Sequence, residues 1–410
     1  MEFKDFILAH DADDPAALAL SRSRHLPEVG DFNLALSTLE VRRKLRNKVP
    51  QWYAAPSLRF PVRLSGEQCS SAETAAYKAS VAKSLGCIRI ADLTGGLGVD
   101  SWAFSQLSQE VLYNEMNPAL ADAAKYNFKE LGAGNITVSC REVTQSSVGA
   151  VLGDFKPSLL YLDPARRSSS GAKVFLLEDC SPDVAKLLPE LFAACPLVML
   201  KLSPMADITL LCSRLQGVRE VHVVESEGEC KELLLLLEKG WTDGCRITVY
   251  AGGETLSFSP SEESSAQVIP AELTAAPPYL FEPGKALLKS GAFKLPCARS
   301  GLGKLDANVH LYVAGEPAAE LAPFGKWFRI DSVQTLDGKA LKALKGIRAD
   351  VTARGIPMTS SALARRYGIL PGDGSVHVFA AGPWLLRCTR VKVLQHGSGH
   401  GGGGSGTAEE

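Results

Sequence analysis

Between residues 87 and 250 the sequence alternates short apolar runs, typical of buried strands, with longer segments of helical periodicity. Strands and helices joined by short connections predict a parallel sheet that is covered by helices on both faces. This alternation predicts an α/β fold. The predicted strands are residues 87–93, 111–115, 136–140, 159–163, 197–202, 221–225, 233–238 and 246–250.

The end of this series differs from its beginning. Residues 221–225 and 233–238 are separated by too few residues for a helical crossover, so these two strands are predicted to be antiparallel. The sheet is therefore expected to be mostly parallel, with a terminal antiparallel hairpin. NAD-binding Rossmann sheets usually lack such a hairpin.

The rest of the chain divides by composition and periodicity. Residues 1–85 are predicted to be an N-terminal helical region, with helices at 15–21, 33–45 and 71–85, the last started by a capping box of Ser70 and Glu73. Residues 86–256 form the α/β domain. We expect a linker at 257–278, a C-terminal α+β domain at 279–395 and a disordered glycine-rich tail at 396–410.

Composition narrows the class of protein. The 410 residues are 46% apolar and 22% charged, which is typical of a globular protein of two or three domains. The sequence shows no signal peptide and no apolar run long enough to span a membrane, so we expect a cytoplasmic protein. Ten cysteines without a C-x-x-C pair and seven histidines without ligand spacing predict free thiols and no metal site.

The charge is distributed unevenly. Residues 320–392 hold twelve Lys and Arg against five Asp and Glu, whereas the remaining residues hold 32 against 40. A basic C-terminal part suggests a polyanionic partner. Candidate RNA-binding residues are Lys342, Arg365 and Arg366, with Trp327 and Phe328 as candidate stacking rings. The alternative is a solvated helix face, and the same two interpretations apply to the basic run at residues 42–48 beside Trp52 and Tyr53.

A glycine-rich stretch, IADLTGGLGVD, follows the first predicted strand and precedes a helix. Ligands bind at this position in open α/β sheets, and glycine permits both close approach and positive φ. Glu115 ends the second strand and Glu142 follows the third, so three acids, with Asp92, stand at consecutive strand ends. An acid at the second strand end can accept the hydroxyls of a ribose. Because no Lys-Ser/Thr follows the glycines, the sequence argues against a loop that binds a nucleoside triphosphate.

Residues 68–250 resemble the class I S-adenosylmethionine-dependent methyltransferases in DLTGGLGVD, YNEMNPALADAAKYN, NITVSCRE and YLDPARR. The resemblance implies a Rossmann-like class I methyltransferase sheet and S-adenosylmethionine as the cofactor. It places Asp92 at the amino end of the cofactor, Glu115 at the ribose and Glu142 at the adenine. The cofactor-binding residues implied are Asp92, Thr94, Gly95, Gly96, Gly98, Glu115, Met116, Glu142 and Asp163.

The sequence Asp163-Pro164-Ala165-Arg166-Arg167 occupies the place of the catalytic motif in that family. An acid there can orient or deprotonate an amine, and arginines can hold a phosphate. Familiar amino-methylating enzymes have a second proline and an aromatic residue, both absent here, and a plain Arg–Asp ion pair is the alternative. The predicted catalytic residues are Asp163, Pro164, Arg166 and Lys201, and the predicted substrate-binding residues near them are Arg166, Arg167 and Ser203.

The motif also resembles that of carbon-5 pyrimidine RNA methyltransferases, which attack the base with a cysteine after the next strand. Here that strand ends Lys201-Leu202-Ser203-Pro204, and Cys195 precedes it, at the wrong end of the sheet. Covalent pyrimidine chemistry is therefore disfavoured, and direct transfer to a nitrogen is preferred. Ser203 lines the acceptor pocket in one interpretation and caps a helix in the other.

The C-terminal sequences FGKWFRIDS and MTSSALARRYGILPGDGSVHVFAAG resemble bacterial methyltransferases that carry a THUMP-like domain. This resemblance implies an RNA substrate, tRNA or rRNA. The segment Gln68-Cys69-Ser70-Ser71 resembles one that folds over the cofactor in several RNA methyltransferases. The alternatives are a methyltransferase acting on a small molecule or protein, and a catalytically inactive protein that binds S-adenosylmethionine. The sequence leaves the oligomeric state open.

Overall fold

A computed structural model describes residues 1–21, 25, 28–166, 180–273 and 278–393, with only the backbone described for Arg166. It contains two compact units. The first consists of Met1–Ser226 and Lys231–Ile247, and the second of Glu227–Cys230 and the chain from Thr248 onward. The predicted tail at 396–410 lies outside the described residues.

The first unit begins with helices and continues as alternating strands and helices. Its helices are α1 Phe3–Ala9, α2 Pro15–Leu20, α3 Phe32–Lys48, α4 Pro50–Tyr53, α5 Ser65–Gln68, α6 Ala72–Ser84, α7 Val99–Ser105, α8 Pro118–Glu130, α9 Val148–Leu152, α10 Val184–Ala194 and α11 Ile208–Arg214. Its strands are β1 Arg89–Asp92, β2 Glu110–Asn114, β3 Ile136–Ser139, β4 Leu159–Leu162, β5 Ala165–Arg166, β6 Cys180–Ser181, β7 Leu197–Leu202, β8 Val218–Ser226 and β9 Glu229–Glu238. Strand β10, Arg246–Ala251, contains the boundary between the units.

Seven of these strands are neighbours in a nine-stranded sheet, in the order β3-β2-β1-β4-β7-β9-β8. The pairs β2/β3, β1/β2, β1/β4 and β4/β7 are parallel, whereas β7 pairs with β9 in antiparallel register. The predicted α/β class, with a mostly parallel sheet and a reversed strand near its end, is confirmed. All four residues of β4 are buried, as expected for a strand covered on both faces.

Helix α8 begins and ends at residue types that are typical of helix ends. The Oδ1 atom of Asn117 accepts hydrogen bonds from the N–H groups of Ala119 and Leu120, and Pro118 occupies the first helical position. Beyond the helix, Gly132 has a φ of +71°. The buried face of helix α8 includes Leu120, Ala124 and Phe128.

The capping box predicted for helix α6 is wrong. Ser71 is the N-cap, with its Oγ atom accepting from the N–H of Thr74 at 3.2 Å. The Oγ atom of Ser70 instead donates to Asp100, and the Glu73 carboxylate accepts from Ser226. Either of the two adjacent serines could have been the N-cap. The side chain of Ser70 binds the buried Asp100, which is distant in sequence, so Ser71 caps the helix.

The basic run at residues 42–48 is engaged within the N-terminal helical region. Arg42 is buried, and its Nε atom donates to Asp11 at 3.1 Å. Lys44 pairs with Glu67, and Trp52 is fully buried. These contacts favour the interpretation of this run as a structural helix end. None of the ten cysteines, all of which lie among the described residues, forms a disulfide bond.

The second unit is an α+β structure. Its further strands are β11 Glu254–Phe258, β12 Ile269–Pro270, β13 Tyr279–Pro283, β14 Gly303–Asp306, β15 Val309–Ala314, β16 Gly325–Thr335, β17 Arg348–Arg354, β18 Leu370–Pro371, β19 Val376–Ala381 and β20 Trp384–Val391. Its helices are α12 Pro260–Ser265, α13 Lys285–Ser290, α14 Leu295–Ser300, α15 Gly338–Lys342 and α16 Ser360–Tyr367, with a 3₁₀ helix at Ala319–Phe324. A sheet runs in the order β12-β14-β15-β13-β16-β20-β19-β17-β18.

The structure of the second unit differs from two of the expectations. Trp327 and Phe328 are only 2% and 1% exposed, so the expectation of stacking rings at the surface is wrong; β16 packs both into the core. The predicted linker contains ordered elements, α12 and β12, and Glu263 in α12 accepts hydrogen bonds from the N–H groups of Phe293, Lys294 and Leu295. Among the described residues, no helix combines the length and apolar character needed to cross a membrane.

Candidate active site

A cavity of about 550 Å³ lies at the carboxyl ends of β1, β2, β4 and β7 in the first unit. This volume falls within the usual range for ligand and cofactor sites. The structure brings together at this cavity the predicted residues Asp92, Thr94, Gly95, Gly96, Gly98, Glu115, Met116, Glu142, Asp163, Pro164, Lys201 and Ser203.

The glycine loop between β1 and α7 is held from beneath by aromatic rings of the protein itself. A Cβ atom at Gly95 would overlap the ring of Tyr113, and one at Gly98 would lie 2.7 Å from the ring of Phe128. Gly96 and Gly98 also have φ values of +54° and +95°, which favour glycine. The sequence suggested a ligand as the cause of this glycine pattern, but rings of the second strand and helix α8 supply part of it.

Glu115 joins the glycine loop to the start of helix α8. Its Oε2 atom accepts from the N–H of Gly96 at 2.9 Å, and its Oε1 atom accepts from the N–H of Asn117 at 2.8 Å. Each carboxylate oxygen retains a further lone pair. The two backbone contacts fix the carboxylate at the cavity, where it can still accept hydrogen bonds from hydroxyl groups.

Asp92 lies beneath the loop and is only 1% exposed. Its Oδ1 atom accepts from the N–H of Thr94 at 3.1 Å, and its Oδ2 atom accepts from the hydroxyl of Ser101 at 2.6 Å. Burial raises the pKa of Asp92 to about 8, and the nearby charge of Asp100 adds to this effect. The residue therefore supports the loop and is largely protonated near pH 7.

Asp163 follows β4 and faces the cavity with a partly exposed carboxylate. Its N–H donates to the Thr94 hydroxyl at 2.6 Å, and its Oδ2 atom accepts from the Lys201 Nζ atom at 2.7 Å. Although burial opposes the shift, the negative charges of Asp163, Glu232 and Asp100 raise the pKa of Lys201 above its usual value. These carboxylates favour the charged form of Lys201, which contacts and orients Asp163; a catalytic role of Lys201 stays a prediction.

Three charged residues were missed by sequence reasoning: Asp100, which lines the cavity, and Lys78 and Glu232, which lie behind it. The Lys78 Nζ atom lies 2.6 Å from Glu232 Oε1 and 3.2 Å from Asp100 Oδ1. Lys201 Nζ lies 4.0 Å from Glu232 Oε2, which links these residues to Asp163. We call Lys78, Asp100, Asp163, Lys201 and Glu232 the ionic cluster. One signal was available in the sequence: Lys78 falls on the face of α6 that Thr74, Ala75 and Ala82 bury.

The remaining predicted residues of the first unit have mixed outcomes. Met116 and Glu142 are exposed at the cavity, and Gln68, Cys69 and Ser70 also line it. Ser203 lines the cavity and does not cap a helix, because α11 begins at Ile208 with Asp207 as its N-cap. Arg167 lies outside the described residues, and only the backbone of Arg166, paired with Cys180, is described. The roles of both arginines stay predictions.

In the second unit, Lys342, Arg365 and Arg366 are exposed. The other Lys and Arg side chains between residues 320 and 392 are exposed as well. Arg365 and Arg366 lie in the last turn of α16, where cations also stabilise the helix dipole. This basic surface belongs to the second unit, and the cavity belongs to the first.

Two family models match the second unit. A ferredoxin-like domain matches residues 279–321, and a THUMP domain-like model matches residues 325–390. No curated protein matches the sequence.

Solved structures resemble the chain to different extents. A proposed methyltransferase from Porphyromonas gingivalis W83 is 28% identical, with a TM-score of 0.80 over 95% of this chain and 97% of that one. A proposed RNA methyltransferase from Pyrococcus horikoshii is 18% identical, with a TM-score of 0.33 over 47% of this chain and 98% of that one. An SAH-bound methyltransferase from Podospora anserina is 12% identical, with a TM-score of 0.27 over 40% and 61%.

The strand order of the first unit, with β9 reversed between β7 and β8, is that of the class I methyltransferase fold. Together with the match over nearly the whole chain, it defines the class of this protein as methyltransferase. More particularly, the chain is a methyltransferase with a C-terminal THUMP-like domain, as the sequence predicted.

Proposed function

We propose that this protein transfers a methyl group from S-adenosylmethionine to a base nitrogen in tRNA or rRNA. The observation that carries the proposal is the position of the Asp163 carboxylate. It faces the same cavity as the glycine loop and Glu115. Lys201 donates to the carboxylate, and the Thr94 hydroxyl accepts from the backbone N–H of Asp163.

The residues around the cavity fit S-adenosylmethionine. Glu115 is suited to the ribose hydroxyls, because its carboxylate is fixed by two backbone N–H groups and keeps free lone pairs. Glu142 is available for the adenine, and the glycine loop provides backbone without side chains at the cavity. When bound, this cofactor supplies an electrophilic methyl group on a sulfonium. The protein then has to position the acceptor and accept a proton.

Asp163 is the group suited to the acceptor. Its Oδ2 atom is taken by Lys201, whereas its other oxygen has no protein partner among the described residues. A carboxylate in this state can accept a hydrogen bond from an amine, orient its lone pair and take the proton that is released. Pro164 follows directly and limits the backbone at this point.

The basic second unit supports a nucleic-acid acceptor. Phosphate backbones bind arrays of exposed Lys and Arg through counterion release. The exposed cations of residues 320–392 form such an array, in the part of the chain that matches a THUMP domain-like model. RNA recognition by this unit would be electrostatic, since Trp327 and Phe328 are buried.

The proposal is tested by incubating the purified chain with methyl-labelled S-adenosylmethionine and, in separate reactions, total RNA, total cell protein or a small-molecule extract of cells. We expect label in RNA, and nucleoside mass spectrometry would then identify the base. Asp163→Ala should keep cofactor affinity, measured by calorimetry, and lose transfer. An Asp163→Ala variant with full activity would remove this residue from the mechanism.

The same experiment separates the alternatives. Label in protein or in a small molecule, with none in RNA, would replace the proposed acceptor class. Cofactor binding without transfer to any fraction would support a catalytically inactive protein. The departure of the Asp163-Pro164-Ala165 sequence from the usual motif makes that third outcome informative.

A further inference from the structure

The ionic cluster extends from the cavity wall into the interior of the first unit. Asp100, Asp163 and Lys201 line the cavity, whereas Lys78 and Glu232 stand behind them and do not. Lys78 is 0% exposed and Glu232 is 3% exposed. Neither of these two residues can touch a ligand in the cavity, yet their charges are in direct contact with residues that can.

The cluster does not balance its charges. Lys78 and Lys201 supply two positive charges against the three negative charges of Asp100, Asp163 and Glu232, so the sum is −1. Although burial opposes the shift, the ammonium groups of the two lysines lower the pKa of Asp100. This keeps its carboxylate ionised.

The other described charged side chains at the cavity cancel. The two positive charges of Arg141 and Lys231 equal in number the two negative charges of Glu115 and Glu142, and all four side chains are at least partly exposed. Asp92 is largely protonated near pH 7. Among the described side chains at the cavity, one excess negative charge therefore remains, and it belongs to the ionic cluster.

A buried charge acts more strongly on a ligand than a charge at the surface. Water and salt screen it less, so its effect extends across several ångströms of protein. A cationic ligand is then favoured over a neutral ligand of similar shape. S-adenosylmethionine carries a sulfonium cation, whereas the product of transfer is a neutral thioether that is otherwise nearly the same molecule.

We infer that the ionic cluster sets the charge preference of the cofactor site, favouring the sulfonium cofactor relative to the thioether product. Lys78 and Glu232 are positioning residues in this scheme, because they act through Asp100 and Lys201. The inference rests on the proposed function, since it takes the cavity as the cofactor site. Its consequence is that methyl transfer itself weakens binding and helps the product to leave.

The test compares two ligands, S-adenosylmethionine and S-adenosylhomocysteine, by calorimetry on the full chain. The measured quantity is the ratio of the Kd for the thioether to the Kd for the sulfonium. Glu232→Gln removes a negative charge and should lower this ratio by about twofold to tenfold. Lys78→Met removes a positive charge and should raise the ratio by a similar factor.

Changes of the Kd ratio in opposite directions in Glu232→Gln and Lys78→Met distinguish an effect of charge from structural damage. A merely structural role would weaken both ligands together and leave the ratio unchanged. The charge-conserving variants Glu232→Asp and Lys78→Arg should also leave it unchanged. Glu73→Gln, on the same helix as Lys78 but outside the cluster, is the matched control. If Lys78→Met does not fold, Asp100→Asn supplies a second removal of negative charge and should lower the ratio as Glu232→Gln does.

The outcomes separate this inference from the proposed function. Ratios that move in opposite directions support the inference. The inference alone is overturned if the wild-type chain binds both ligands but the ratio does not respond to these charges. It is also overturned if Glu232→Gln and Lys78→Met move the ratio in the same direction, or if Asp100→Asn moves it opposite to Glu232→Gln. A wild-type chain that binds neither ligand overturns the proposed function and the inference with it.

Discussion

Single residues of the glycine loop serve the protein's own packing as well as its cavity. Gly95 lies against the ring of Tyr113, whose hydroxyl donates to the Gly96 carbonyl at 2.6 Å. Gly95 N–H donates to the Asn114 carbonyl at 2.8 Å, so the loop is bound to the second strand at two points. The shape of the loop is therefore set before any ligand arrives.

Gly95→Ala is expected to destabilise the first unit by about 1–3 kcal/mol, because the new Cβ forces the Tyr113 ring to move. Cofactor binding should weaken as well. Urea unfolding and calorimetry measure the two effects. Gly134→Ala is the matched control, since it has no atom within 4 Å of the added carbon and should change neither. A fully stable Gly95→Ala would show that the ring yields freely.

Asp92→Asn tests the raised pKa beneath the loop. A carboxyl whose pKa is raised from 3.8 to about 8 stabilises the fold fully below pH 4 and loses that contribution as the pH rises through 8. The wild type should therefore lose unfolding free energy relative to Asp92→Asn between pH 4 and 8, and the difference should level off above 9. Asp122→Asn, at an exposed position, should show no such trend in the same urea titrations.

At the scale of elements, helix α8 supports the cavity through its N-terminus and through its buried face. Its N-cap, Asn117, also donates its backbone N–H to Glu115, so the start of the helix and the Glu115 carboxylate lie in one turn. Phe128, on the buried face of the same helix, packs under Gly98. One amphipathic helix thus supports the loop at two places.

Asn117→Ala is expected to cost about 0.5–2 kcal/mol of unfolding free energy, because two backbone N–H groups lose their side-chain acceptor. The midpoint of urea unfolding measures this loss. The backbone contact to Glu115 survives the substitution, so cofactor affinity should change little. Asn33→Ala, on an exposed position of α3, should leave the midpoint within a few tenths of a kcal/mol. Equal effects of both variants would contradict the capping argument.

At the scale of the whole molecule, a nearly neutral chain contains a basic part. Its formal charge is −1, yet residues 320–392 carry an excess of seven positive charges, twelve against five, and the twelve cations are exposed. Such a positively charged surface attracts phosphates and other anions. The proposed RNA substrate belongs to this scale.

Arg365→Glu with Arg366→Glu should weaken RNA binding and make the affinity less dependent on salt. Each lost phosphate contact lowers the slope of log affinity against log salt by about one. Filter binding of total tRNA at several salt concentrations measures this slope. Lys125→Glu with Lys129→Glu, at exposed positions of α8, makes the same charge change in the first unit and is the control. An unchanged slope in the arginine variant would remove these residues from the RNA surface.

Local patterns predicted most of the first unit. Each strand from β1 to β4 and from β7 to β10 was predicted, because each is a short apolar run bounded by turn residues. The THUMP-like C-terminal region was recognised from its motifs. Three short N-terminal helices, α1, α4 and α5, were missed, since helices of four to seven residues leave little periodicity.

By itself, the sequence determined the α/β class, the reversed strand and the positions of the cavity residues, because periodicity, chain length between strands and strand ends are local properties. Only the tertiary structure decided which side chains meet across the chain. Lys78 and Glu232 are 154 residues apart and form one ion pair, and Gly95 is a glycine because Tyr113 lies beneath it. Such contacts depend on how strands and helices pack. Helical spacing places Lys78 on a buried face, but it does not name the partner.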